Sequence, residues 1–336
     1  MKWVFVIATV FIFALVFYYS VNNEKTRTKK KALSLYRKKR YDKTISLLDA
    51  KRALLGEDFY YSLLIEILVE TKDIEKMLQA CKEALDSKIE SSMLYNNISY
   101  AYFEAEDFDK SLEYADKCIE LNDKFAAPYA NKGNCYYLLS DLDKALENFD
   151  TALSINKDLP AALYGKGICL YIRKDYTECE KYLLKYTKIN KKSINTFKML
   201  GDLYFENRDF SSAAKMYESI ISVDSTLPWA YYELGNILFY EGDLFRALTS
   251  LDKAIELDKD CYIAYYYKCR IFSLFRHIDQ AFQCLEKAVE GEKYLKLIAF
   301  EDDFLNNLKF YSKFKDIVGN RKTDIISELQ VTSADD

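Results

Sequence analysis

The 336 residues are 50% hydrophobic and 30% charged, a balance that excludes disorder for most of the chain. With nine Gly and three Pro, the turns that many short strands would need are scarce, and the apolar spacing is helical nearly throughout. The formal net charge of −4 hides a split: residues 1–52 carry 13 Lys or Arg against 3 Asp or Glu, and the remainder is strongly acidic. A basic stem on an acidic body argues against nucleic acid as a partner, because duplex binding wants a basic face on the folded domain. It suits a stem beside anionic headgroups.

At the N-terminus, Trp3 to Val21 is apolar except for Thr9 and Ser20. Such a run spans roughly 28 Å as a helix, close to a hydrocarbon core. Residues 1–22 are therefore expected to be a single-pass transmembrane anchor. A cleaved signal is disfavoured, because a cut after Ser20 would place the bulky Tyr18 at the third position before it. No Cys precedes Cys81 to take a lipid. Lys25, Arg27, Lys29, Lys30, Lys31 and Arg37 to Arg40 crowd the C-terminal flank, which by the positive-inside tendency puts the body in the cytoplasm.

Residues 23–57 read as the basic stem and a degenerate first repeat, and 58–295 as a regular array. Gly133, Gly167, Gly201 and Gly235 stand 34 residues apart. Ala145, Cys179, Ala213, Ala247 and Ala281 keep the same register, as do Phe149, Leu183, Tyr217, Leu251 and Leu285. Asp141, Asp175, Asp209 and Asp243 open the second half of each unit. Small residues let two helices approach, and large apolar ones fill the space to the next unit. The pattern resembles the tetratricopeptide repeat (TPR), strongest over 126–261 and carried by register upstream and downstream. The resemblance implies an all-α fold: a right-handed α-solenoid of about eight helix-turn-helix units, here preceded by one transmembrane helix. The family's usual Pro near the end of each unit is missing, with Asp123, Lys157, Lys191, Ser225 and Lys259 in its place, which predicts looser turns.

Residues 296–318, with Phe304, Leu308, Phe314 and Ile317, are spaced as capping helices for the open end of the array, and 319–336 as a mobile tail. The eight cysteines contain no C-x-x-C pair, and four of them, Cys81, Cys118, Cys179 and Cys269, occupy recurring packing positions. The single histidine, His277, stands in a turn where other repeats have Asp. No phosphate-cradling glycine motif occurs. The chain is thus expected to be no enzyme and to use no cofactor or metal.

The resemblance also implies a concave groove lined by the first helix of each unit, taking a protein or peptide partner. Register places Phe103, Tyr137, Tyr171, Phe205 and Phe239 on one row of it. A second row holds Asn96, Tyr164, Lys198, Tyr232 and Tyr266, and between them lie Tyr100, Asn134, Ile168, Asp202, Asn236 and Arg270. The rings would hold apolar side chains while Asn134 and Asn236 bond a ligand backbone. Alternatively, many of these rings pack between repeats. A chaperone C-terminal tail is disfavoured, since the Lys and Asn clamp of that sub-type is matched in no register; Asn134, for example, is followed by Gly165 and Met199. The expected function is a membrane-anchored scaffold, the alternative an exported protein binding envelope proteins or polysaccharide. The plan also resembles bacterial inner-membrane TPR adaptors, but lacks the Cys pairs of those ending in a zinc module.

Overall fold

A computed structural model describes residues 2–323 together with 325 and 326, with side chains described from Tyr18 onward. Among the described residues every regular element is helical. The chain divides into two compact units, 1–182 and 183–336, and each is a TPR-like stack of helix pairs.

The first unit begins with α1 (Lys2–Arg37), followed by α2 (Tyr41–Ala50), the short α3 (Arg52–Leu55), α4 (Glu57–Thr71) and α5 (Ile74–Asp86). Then come α6 (Ser92–Glu104), α7 (Phe108–Leu121), α8 (Ala126–Leu138), α9 (Leu142–Ile155) and α10 (Pro160–Ile172); the division falls inside α11 (Tyr176–Ile189). First helices touch their own second helix and the next first helix: α4 packs on α5 and α6, α6 on α7 and α8, and α8 on α9 and α10.

The single-pass anchor expected at Trp3 to Val21 is corrected, and with it the membrane localisation and the cytoplasmic orientation. Among the described residues no helix is long and apolar enough to cross a membrane. The apolar run belongs to α1, a 36-residue helix that continues through the basic stem, and its side chains before Tyr18 lie outside the described residues. The stem is tied to the protein body: Thr28 and Ala32 are buried, Lys29 lies 4.6 Å above the Phe59 ring, and Glu24 pairs with Lys51 at 3.0 Å.

The second unit contains α12 (Ile194–Glu206), α13 (Phe210–Val223), α14 (Pro228–Glu241), α15 (Leu244–Leu257), α16 (Tyr262–Leu274) and α17 (Ile278–Gly291). After them come α18 (Leu295–Glu301), a 3-10 turn (Asp303–Leu305) and α19 (Ser312–Val318). Leu295, Ala299, Leu305, Leu308, Phe314 and Val318 form one buried cluster with α16 and α17. Ile325 joins that cluster from within the segment expected to be a tail; residues 327–336 lie outside the described residues.

Two turn devices recur. Between the helices of a pair, Lys72, Glu106, Ser140, Lys174, Arg208, Gly242 and Arg276 adopt left-handed φ at a spacing of 34 residues. Each closes its helix with the paired end bonds of a Schellman motif, as in Glu106 N–H to Phe103 O and Asp107 N–H to Tyr102 O. The next residue is Asp in six of the seven turns, and its carboxylate accepts the backbone N–H three residues on, for example Asp209 from Ser212 at 3.1 Å. Between pairs, Asn122, Asn156, Asn190, Asp224 and Asp258 each accept the backbone N–H two residues on, at 2.9 to 3.3 Å. These Asx turns bridge the connection where the family's Pro is missing.

Candidate functional site

In the first unit the sequence-identified residues fall on successive first helices. Phe103 is on α6, Asn134 and Tyr137 on α8, and Tyr164 and Tyr171 on α10, all half-buried. Phe103 stacks on the exposed Tyr100 at 6.1 Å and leans on Phe108 at 6.0 Å. Tyr171 leans on Tyr176 at 5.9 Å. The Asn134 amide has no hydrogen-bond partner among the described residues.

Beside this row is an open pocket of about 600 Å³, lined by α1, α4, α6 and α8. Asn131 donates to the Asn96 side chain at 3.3 Å, and Asn97 donates to the Ser62 carbonyl at 2.8 Å. Tyr36 donates to both Glu66 and Glu70, and Tyr41 to Glu70. Burial raises the Glu66 carboxyl above the usual range, with Glu70 adding to it against the Tyr36 bond. Burial also acts on Glu70, but the bonds from Tyr36 and Tyr41 and the Lys39 ammonium outweigh it and hold that carboxyl low. The Tyr100 phenol is pushed up to about 12, first by burial and then by Glu104. The pocket's polar lining is thus three carboxylates, three amides, the phenols of Tyr36 and Tyr100, and Lys72. Sequence reading missed Glu66, Glu70 and Glu104, although Glu66 stands in the register of Tyr100 and Asn134, and Glu70 in that of Glu104.

In the second unit Phe205, on α12, and Tyr232 and Asn236, on α14, are half-buried. Phe205 packs edge-on against Tyr240 at 5.4 Å, and Tyr232 lies 6.4 Å from Tyr267. Asp202 accepts from Tyr217 and from Lys198, each at 2.7 Å, and lines a small pocket together with Glu233, Phe205 and Asn236.

Phe239, Tyr266 and Arg270 are placed differently, for all three are buried under the chain's own residues 302–304. The Asp302 carboxylate accepts from Tyr266 Oη at 2.5 Å and sits 3.1 Å from Arg270 Nε, without hydrogen-bond alignment at Nε. The other guanidinium nitrogens reach Asn236 Oδ1 at 3.2 Å and Tyr240 Oη at 3.0 Å. The Phe304 ring meets Phe239 edge-on at 4.8 Å, with the guanidinium 4.5 Å from its centre. Sequence reading gave Phe304 a capping role; the contacts of Asp302 it did not reach.

Seven of the eight cysteines are buried and all are free; burial pushes the Cys81 and Cys179 thiols up to about 12. Among the described residues no three His, Cys, Asp or Glu side chains are grouped to hold a metal ion.

Helix pairs of constant register, small-to-large packing and a first-helix face of rings and amides define a repeat scaffold. Family models described as tetratricopeptide repeat match residues 94–125, 126–159 and 228–261, so these segments are tetratricopeptide repeats. Among solved structures the chain is similar to YrrB, a TPR protein with an unusual peptide-binding site. That match has 22% identity and a TM-score of 0.52, and covers 60% of this chain and 100% of YrrB. It is also similar to the C-terminal part of a TPR repeat-containing protein from Cytophaga hutchinsonii, at 13% identity and a TM-score of 0.56, covering 69% of this chain and 95% of that one. At these identities the likeness shows the fold. No match was found among curated proteins. The TPR fold generally serves protein–protein interaction as a scaffold.

Proposed function

We propose that this chain is a scaffold that binds an extended protein segment on the first-helix face of its N-terminal unit. Phe103, Tyr137, Tyr164 and Tyr171 supply apolar contact, and Asn134 bonds the ligand backbone. The pocket of Glu66, Glu70 and Glu104 takes a basic side chain. In the second unit Phe205, Tyr232 and Asn236 carry the same register toward Phe239, Tyr266 and Arg270.

What supports this reading most is an open acidic pocket of about 600 Å³ lined by α4, α6 and α8, since α6 and α8 also carry Phe103, Asn134 and Tyr137. A face closed by packing would leave no such open pocket. The test is selection of displayed random peptides by the full chain. Recovered sequences are expected to carry Lys or Arg, to weaken as salt is raised, and to lose at least tenfold in affinity with Asn134→Ala and Tyr137→Ala together. Unchanged affinity in a variant that retains its fold would overturn the reading.

A further inference from the structure

The C-terminal segment does more in the second unit than close an apolar end. α18 and α19 already cover that end with Leu295, Ala299, Phe314 and Val318. Residues 302–304 add polar contacts that apolar closure does not need. Asp302 is extended (φ −70°, ψ 118°), and its side chain is 10% exposed. It faces Tyr266 and Arg270 on α16, two of the positions that register assigns to the partner face. Phe304 fills the space between Phe239, Tyr240 and the guanidinium, and its carbonyl accepts from Ser273 Oγ at 2.8 Å. Asn307 donates to the Ser273 carbonyl at 2.8 Å.

A buried ion pair is a poor way to gain stability, since apolar residues of like volume do as well or better. A carboxylate, a ring and a backbone bond at fixed spacing are instead how a groove reads a sequence. Space remains beside the docked segment: an open pocket of about 560 Å³, also lined by Phe205, Asn236, Ile263 and Tyr267.

We propose that Asp302–Phe304 is an intramolecular ligand. The first-helix face of the second unit reads an extended acidic-aromatic segment, a carboxylate two residues before a ring, and the chain's own copy keeps that face closed to partners carrying the same chemistry. This rests on the reading of the first-helix face as the partner surface and adds a partner class for one unit. Tethering gives the internal copy an effective concentration on the order of millimolar, so a free competitor meets a closed site.

The test uses the full chain and a labelled synthetic peptide of residues 298–308, IAFEDDFLNNL, followed by fluorescence anisotropy. Asp302→Ala with Phe304→Ala is expected to bind the peptide at least tenfold more tightly than the unsubstituted chain, and adding Arg270→Ala to abolish binding. Asp302→Asn, which keeps the size of the side chain, gives the same direction should the double variant not fold. In that variant, amide hydrogen exchange is expected to quicken over 302–308 while α16 stays protected. Equal affinity for the unsubstituted chain and the folded open variants, or no binding to the latter, would overturn the proposal. Peptides selected through Asn134 and Tyr137 report on the N-terminal unit, so their behaviour separates failure here from failure of the scaffold reading.

Discussion

Glu233 sits half-buried on α14 with its carboxyl raised above the ordinary value of 4.5, first by burial and then by the Asp202 carboxylate, against the pull of Lys198. The folded state therefore holds this proton more tightly than the unfolded chain does. The contribution to stability is complete below 4.5 and declines as pH rises through the raised folded value. Glu233→Gln removes the charge and keeps the shape. Thermal unfolding should show a higher midpoint near neutral pH and a weaker decline from acid to neutral; no change in either would place the strain elsewhere. Turn residues offer a second test. Gly242 has φ +91°, and a methyl group on its Cα would meet nothing within 4 Å, so Gly242→Ala should cost roughly 1 kcal/mol through backbone strain alone. His277 holds the cap position of α17 without a side-chain bond, and His277→Asp should add about 0.5–1 kcal/mol in denaturant unfolding.

At the scale of helix pairs, Phe149 shows what the small-to-large register does. Its ring is fully buried between α8 and α10, and an added Cβ would come within 2.6 Å of it at Gly133 and 2.3 Å at Gly165. Gly165→Ala is expected to destabilise by about 1–3 kcal/mol, and Phe149→Leu in the same chain to recover part of the loss by making room. Additive losses in the double variant, measured by chemical denaturation, would show that the two sites do not share this contact.

This packing was legible from spacing, since glycine and the large residue that meets it recur at one interval. The turns were legible only in part. The Asp caps stood out, but the left-handed residues before them are mostly Lys, Arg, Glu or Ser, which carry no such signal. The Asx-turn residues Asn122, Asn156, Asn190, Asp224 and Asp258 recur in register too, but Asn and Asp are common in any loop, and the missing Pro one residue later pointed toward looser turns. Of the candidate face, the aromatic rows followed from register. The burial of Phe239, Tyr266 and Arg270 did not, because Asp302 docks on Tyr266 from 36 residues along the chain and on Arg270 as well, and Phe304 docks on Phe239 from further still, contacts that no local period encodes.

For the molecule as a whole, each unit repeats one local solution and uses its first helices differently. The N-terminal unit leaves rings, an amide and an acidic pocket open, whereas the second unit folds its own acidic-aromatic segment onto the matching positions. α1 carries the basic stem into the first unit, where Ala32 is buried in the core that includes Leu48 and Leu63. That docking is why the stem cannot be read from charge alone. The central claim, that partners meet the first-helix face of the N-terminal unit, is tested most directly by a photo-crosslinking residue placed at Tyr137 and, separately, at Glu147 on α9, a second helix. The expected result is a discrete crosslinked partner from position 137 that disappears with Asn134→Ala, and none from 147. Equal crosslinking from both positions, or a partner captured from 147 alone, would contradict it.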